Sequence, residues 1–208
     1  LALVERLAYR KADVIVGTMP NLGQHVEEVL GYPRPVACVP MGVDEELIGR
    51  SDPLPPDYDA HIPKDKFIVC HAGTIGIDNA LDPLFDCARA LRDRPDIHFL
   101  VVGRGGLKAH YEAACADLPN VSFPPAVPKG MVQSVLARCD LLYFSTHVSK
   151  VWIYGQSLNK VIDYMLAGKP IVASYSGFPS MIDESGGGSF VPAGDVNALK
   201  EEILRYAA

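Results

Sequence analysis

From residue 65 to the end, short apolar runs alternate with amphipathic stretches, and few folds accept that pattern. The runs are Phe67-Ile68-Val69-Cys70, Ile97-His98-Phe99-Leu100-Val101-Val102, Val121-Ser122-Phe123, Leu141-Leu142-Tyr143-Phe144, Pro170-Ile171-Val172-Ala173 and Ser189-Phe190-Val191. They lack the polar alternation of a strand with one wet face, so burial on both faces is expected. Helical periodicity is predicted over roughly 79–93, 106–117, 129–138, 157–167, 178–184 and 195–206. Such repetition predicts an α/β domain: a Rossmann-like parallel sheet with helices on both faces. Ligands of such sheets bind beyond the strand C-termini. Gly73, Gly103, Ser145 and Ser174 all follow predicted strand ends.

Before residue 65 the pattern is different. A helix is expected over 1–11, with Leu3, Leu7 and Tyr9 among charges, and another over 20–30. Val14-Ile15-Val16 and Val36-Ala37-Cys38-Val39 read as short strands. Ser51-Asp52-Pro53-Leu54-Pro55-Pro56-Asp57 breaks all periodicity and reads as a linker. The expected division is therefore 1–45, a linker over 46–64, and a domain over 65–208 that folds as a unit. The first residue is Leu and lies inside a helical pattern, so the chain is expected to be part of a longer protein.

A net charge of −6 over 208 residues argues against nucleic acid and against an anionic membrane surface as bulk partners. No apolar run reaches the length of a membrane helix and no signal peptide is recognisable. The five cysteines, Cys38, Cys70, Cys87, Cys115 and Cys139, form no Cys-x-x-Cys pair and each lies in an apolar segment. They are expected to be reduced core residues of a cytoplasmic protein, with no metal site.

The chemistry concentrates between Tyr154 and Val172. Leu158, Val161, Ile162, Met165 and Leu166 recur at helical spacing as an apolar stripe, and Asn159, Lys160 and Asp163 fall on the other side. Ser157 stands where an N-cap is expected. A capped helix N-terminus suits a diphosphate, and a carboxylate one to two turns on can accept ribose hydroxyls. Gly103-Arg104-Gly105-Gly106-Leu107-Lys108 invites comparison with a dinucleotide fingerprint, but the third glycine is not at the required spacing. His71 and His147 are expected near the same sheet edge, where a lone histidine is more often structural.

This stretch resembles the donor-site motif of the retaining GT-B glycosyltransferases, the glycogen-synthase-like and polysaccharide-building group 1 family. Many members carry Glu, seven residues, Glu, then Ala-Met-x-x-Gly-x-Pro-Val. Here Asp163 stands at the second glutamate, followed by Tyr164-Met165-Leu166-Ala167-Gly168-Lys169-Pro170-Ile171, and Gly155 stands at the first. A bacterial subgroup that builds surface polysaccharides has Ser-x-Asn-Lys-x-x-Asp-Tyr-Met-x-x-Gly-Lys-Pro, which this chain matches residue by residue. Ala12-Asp13-Val14-Ile15-Val16, Pro40-Met41-Gly42-Val43-Asp44, Gly73-Thr74-Ile75-Gly76, Val101-Val102-Gly103-Arg104-Gly105-Gly106, Asn120-Val121-Ser122-Phe123 with Val127-Pro128, and Asp140-Leu141-Leu142-Tyr143-Phe144-Ser145 resemble further family segments in the same order.

The resemblance implies that 65–208 is the C-terminal, nucleotide-sugar-binding half of a GT-B fold and 1–45 the tail of an N-terminal acceptor-side domain. It implies sugar transfer from a nucleotide diphosphosugar to a saccharide or lipid-linked saccharide, in surface polysaccharide biosynthesis, retaining and without metal or cofactor. Donor contacts would come from Gly73, Thr74, Arg104, Val127, Ser157, Leu158, Asn159 and Asp163. Members often have Arg after the first Gly and Lys a few residues later; here Thr74 and about Asn79 hold those places. Lys150, in the loop before the motif, or Arg104 would replace those cations, and Lys160 joins Lys150 as a candidate for the leaving group. Two other readings fit the same residues: a nucleotide-binding module inactive on its own, and a sugar-nucleotide epimerase of the same fold. Membrane association would come through the preceding domain, at the inner membrane face.

Overall fold

The computed structural model describes residues 2–43, 48–49 and 51–208. Asp44 and much of the start of the expected linker lie outside them. The chain opens with α1 (Ala2–Lys11), β1 (Ile15–Gly17), α2 (Leu22–Leu30) and β2 (Val36–Cys38). β1 and β2 pair in parallel as a separate two-stranded sheet, and Ile15, Val26 and Leu30 form a small core beneath it. α1 buries no residue: Leu3, Val4 and Leu7 are exposed, as are Val14, Val16 and Val39.

The remaining chain gives β3 (Phe67–Ala72), α3 (Asp82–Ala90), β4 (Ile97–Val102), α4 (Lys108–Ala114), β5 (Val121–Ser122), α5 (Val132–Leu136), β6 (Leu141–Ser145), α6 (Asn159–Leu166), β7 (Ile171–Ser174), α7 (Met181–Ser185), β8 (Gly188–Val191) and α8 (Val196–Tyr206). Every strand and helix expected from the alternation is present. The sheet is parallel, in the order β5-β4-β3-β6-β7-β8. Strand order reverses between β3 and β6, as in doubly wound nucleotide-binding folds, and a crevice opens at that switch point.

Successive side chains of a strand point to opposite faces, so each strand feeds two cores. Val69, Phe99, Leu141, Tyr143 and Val172 pack with Leu84 and Phe85 of α3 and Leu199 and Ile203 of α8. Cys70, Leu100, Leu142, Phe144 and Ala173 pack with Leu136 of α5, Val161 and Tyr164 of α6 and Ile182 of α7. Two-sided burial explains the unbroken apolar runs. Cys38 departs from expectation: it is exposed on β2, while the other four cysteines are buried. Among the described residues no second layer covers that face of the short strand. Among the described residues no helix is long and apolar enough to cross a membrane, and no group of three or more metal-ligating side chains occurs.

The Pro-rich stretch is not a free tether. A short 3-10 turn at Tyr58–His61 buries Tyr58, whose hydroxyl donates to the Pro125 carbonyl at 2.8 Å. Tyr58 and Ile62 belong to the α5–α6 side of the core, and Asp52 N–H donates to the Gly130 carbonyl at 3.0 Å. The prolines suppress regular structure without preventing side-chain burial, so the stretch from Asp52 to Ile62 packs onto the sheet domain. A chain of residues 51–208 is expected to unfold cooperatively in urea. One of residues 65–208 should be less stable by about 3–6 kcal/mol, from two buried side chains at about 1.5–3 kcal/mol each. Equal urea midpoints and slopes would contradict this packing.

Candidate functional site

Two glycine loops form the floor of the crevice. After β3 the chain runs Gly73-Thr74-Ile75-Gly76, and after β4 it runs Gly103-Arg104-Gly105-Gly106. The loops continue the ladder of their strands: Gly73 N–H donates to Val102 O at 2.9 Å and Ile75 N–H to Arg104 O at 2.9 Å. A Cβ on Gly103 would stand 1.8 Å from Gly73 O, and one on Gly105 2.0 Å from Ile75 O. The glycines are therefore required by backbone-to-backbone contact.

The third wall is α6. Its core-facing residues are Val161 and Tyr164, while Leu166 of the expected apolar stripe is exposed. The core-facing side runs through Val161 and Tyr164 because the tyrosine hydroxyl finds partners at the ends of β3 and β6. It accepts from Ala72 N–H at 2.8 Å, and its one proton faces Ala72 O at 3.1 Å and Tyr143 O at 3.2 Å. These bonds tie α6 to the ends of β3 and β6. With that face inward, Asn159, Lys160 and Asp163 all line one cavity of about 580 Å³ with Gly73, Thr74, Arg104, Val127 and Leu158. Its position is the crevice at the strand-order reversal.

Two of the expected residues stand differently. Ser157 does not cap α6: Leu158 occupies the N-cap position and no side chain bonds there. Ser157 Oγ is buried without a partner among the described residues, and the residue lines a neighbouring cavity of about 210 Å³ with Thr18, Pro20 and Met41. The extended backbone at Leu158 turns the serine away from the first helical turn. Lys150 is exposed at the start of a 3-10 turn, Lys150–Tyr154, and is not among the residues lining the larger cavity. Gly155 has φ +105°, and a Cβ there would lie 2.4 Å from Pro20 Cδ. That segment is held by Asn21 N–H donating to Tyr154 O at 2.9 Å. A glutamate has no room at this position in this conformation.

The structure also adds Lys129, which the sequence pattern did not single out, and shows what Asn79, His71 and His147 contact. Lys129 reaches the Asp163 carboxylate, with Nζ 2.5 Å from each oxygen. It lies two residues beyond Val127, at the start of the stretch expected as a helix over 129–138, in a 3-10 turn, Lys129–Met131. Asn79 accepts a hydrogen bond from the Lys160 amine. His71 is fully buried at the end of β3, with Nδ1 3.3 Å from Tyr143 O and Nε2 without a partner among the described residues. Burial, then the charge of Lys160, pushes the His71 imidazole down to about 3, and burial lowers the half-buried Lys160 amine to about 8. His147 is exposed, with Nε2 2.6 Å from Ile77 O. Its carbonyl accepts from Trp152 Nε1 at 2.8 Å, a structural role.

The cavity thus offers backbone loops, a helix N-terminus, cations at Arg104, Lys129 and Lys160, and a carboxylate. That set suits a ligand with an anionic centre and hydroxyl groups. If Asp163 binds ribose hydroxyls, Asp163→Ala should weaken nucleoside diphosphate binding by about 1.5–3 kcal/mol, the range for hydrogen bonds to a charged group. The fold should be retained, because Asp163 is not a core residue. Calorimetric titration with unchanged affinity would remove Asp163 from the ligand's contacts.

Comparison with known proteins gives three findings. The sequence profile described as glycosyl transferases group 1 matches residues 66–208. No curated protein matches the sequence. Solved structures resemble the chain at low identity. A mutant of S. aureus TarM in complex with fondaparinux, alpha-GlcNAc-glycerol and UDP is 16% identical, with TM-score 0.72 over 97% of this chain and 38% of that one. Anabaena Alr3699/HepE in complex with UDP and glucose is 17% identical, with TM-score 0.68 over 98% of this chain and 55% of that one. WaaG, a glycosyltransferase involved in lipopolysaccharide biosynthesis, is 17% identical, with TM-score 0.63 over 92% of this chain and 53% of that one. The chain therefore spans about two fifths to just over half the length of the structures it matches.

Proposed function

Because the chain belongs to the group 1 glycosyl transferases, we propose that it supplies the donor-binding half of an enzyme that moves a sugar from a nucleotide diphosphosugar to a saccharide or lipid-linked saccharide. The observation that carries this reading is the single cavity at the β3/β6 switch point, where both glycine loops, the α6 N-terminus, Lys160 and Asp163 converge. UDP in two of the similar structures supports a nucleoside diphosphate as the common part of the ligand.

The chemistry asked of these residues is electrostatic. The bond between the sugar's anomeric carbon and the diphosphate oxygen breaks, its electron pair leaves with the diphosphate, and the acceptor hydroxyl oxygen bonds to the carbon as its proton passes to the departing diphosphate. N–H groups and the dipole of α6, with a cation, stabilise the charge developing on the leaving oxygen. Side-chain cations take the part a metal would otherwise play, and we infer retention of anomeric configuration. Surface polysaccharide assembly is the setting we assign, on the cytoplasmic side of the membrane. Residues 1–45 would be the tail of the acceptor-side domain, a reading supported by the exposed apolar residues of α1, β1 and β2.

The limited span of the chain against its structural neighbours favours a second reading of the chain by itself, as a donor-binding module without turnover. A thermal-shift panel of nucleoside diphosphates and nucleotide sugars tests the donor site. At a ligand concentration a hundredfold above its Kd, about 2.7 kcal/mol of stabilisation is expected. The chain alone should release neither free sugar nor an epimerised nucleotide sugar. Absence of stabilisation by every nucleotide sugar would overturn the donor reading, and epimer formation would replace transfer with epimerisation.

A further inference from the structure

The Asp163 carboxylate already has a partner within this chain. Lys129 Nζ lies 2.5 Å from each of its oxygens, so the amine is centred on the carboxylate edge between them. The pair joins the 3-10 turn Lys129–Met131 to α6. Its members differ in exposure: the Asp163 side chain is 20% exposed and that of Lys129 64%. The protein therefore covers most of the carboxylate, and the amine sits on its open side. Both residues line the cavity of about 580 Å³ and also one of about 250 Å³ beside it. The pair stands where the two cavities meet, so the amine has space to move into when it leaves.

We propose that Lys129 competes with the donor's ribose for Asp163: the diol of an incoming nucleoside diphosphate displaces the amine from the carboxylate. The inference rests on the donor-site reading above and adds to it the group that the ligand replaces. An ionised carboxylate only accepts hydrogen bonds, so the amine and the hydroxyls are donors of the same kind to it. A vicinal diol that gives one hydrogen bond to each oxygen needs the edge that the amine holds. Exchange is within reach because an ion pair with an exposed partner is worth little and solvent receives the freed ammonium. Without ligand, the amine spares Asp163 the cost of a mostly covered charge with no partner. Lys129 thus lowers donor affinity while it keeps the unliganded carboxylate satisfied.

The signature of this exchange lies in the diol and not in the phosphates. Arg104, Lys129 and Lys160 all line the cavity, and each attracts a diphosphate whatever sugar it carries. Comparing a ribonucleoside diphosphate with its dideoxy form, which lacks both ribose hydroxyls, cancels that attraction and leaves the exchange at Asp163. Removing the amine should raise the preference for the ribo form. Salt should raise it too, because screening loosens an exposed pair and does not act on neutral hydroxyls.

The test is calorimetric titration of the full chain with uridine, adenosine and guanosine diphosphates and their dideoxy forms. The proteins are wild type, Lys129→Met, Lys129→Arg and Asp163→Ala, each checked for folding by circular dichroism. Lys129→Met should raise the ribo-over-dideoxy preference about two- to fivefold, the worth of an ion pair with an exposed partner. Lys129→Arg, which can pair with the same carboxylate, should stay near wild type. The wild-type preference should rise toward about 0.5 M salt, and that of Lys129→Met should not. Asp163→Ala should abolish the preference. A preference unchanged or lowered in folded Lys129→Met would overturn the inference and leave the donor site standing. Diphosphates that bind with no preference in both wild type and Lys129→Met would take the ribose away from Asp163, and this inference with it. Failure of all three diphosphates to bind wild type would overturn the donor-site reading itself.

Discussion

The Tyr164 hydroxyl, bonded to Ala72 N–H at 2.8 Å and facing the carbonyls of Ala72 and Tyr143, fixes where α6 stands. It meets β3 and β6 at the pair between which strand order reverses. The hydroxyl satisfies the part-buried Ala72 N–H. Its larger consequence is geometric. With Tyr164 locked inward, helical spacing carries Lys160 and Asp163 onto the cavity face, four and one residues before it. Each site contact made by α6 depends on that rotation.

The opposite wall depends on the absence of side chains. The two glycine loops touch through their backbones, so the ends of β3 and β4 close into one floor. A methyl group at Gly103 or Gly105 would separate them, because the clashing atoms are backbone carbonyls with little freedom to move. The same reasoning accounts for Gly155. Its positive φ and its closeness to Pro20 leave no place for the acid that many family members carry there. In this chain the segment around Pro20 and Asn21, tied to Tyr154, occupies that space.

Much of the fold was legible because two-sided burial of a parallel sheet writes itself as unbroken apolar runs, and all six runs after residue 65 became strands. The helix carrying Lys160 and Asp163 was equally legible from its spacing. Its exact rotation was not, because an apolarity count favours Leu166 over Tyr164 and ignores a hydroxyl that finds partners 92 and 21 residues away. Ser157 read as a cap because capping residues are recognised by type, whereas the extended backbone at Leu158 moves the cap one position on. Lys129, Asn79 and His71 come from three separate loops and strand ends. Only the closed sheet brings them to Asp163 and Lys160; the sequence marked His71 and Asn79 by their place at the sheet edge and in the first glycine loop, but did not mark Lys129. The Pro-rich stretch misled in the opposite way, since composition marks the loss of regular structure but not the burial of Tyr58 and Ile62.

The central claim is that a diphosphate sits where the Gly73 loop, the N-terminus of α6 and Lys160 converge. A crystal of the chain soaked with a nucleoside diphosphate tests it most directly. The expected result is density for both phosphates beside Gly73 and the first turn of α6, with the Lys160 amine within hydrogen-bond distance of a phosphate oxygen and the ribose at Asp163. Phosphates bound instead at Arg104 and Lys108, away from α6, would contradict the account.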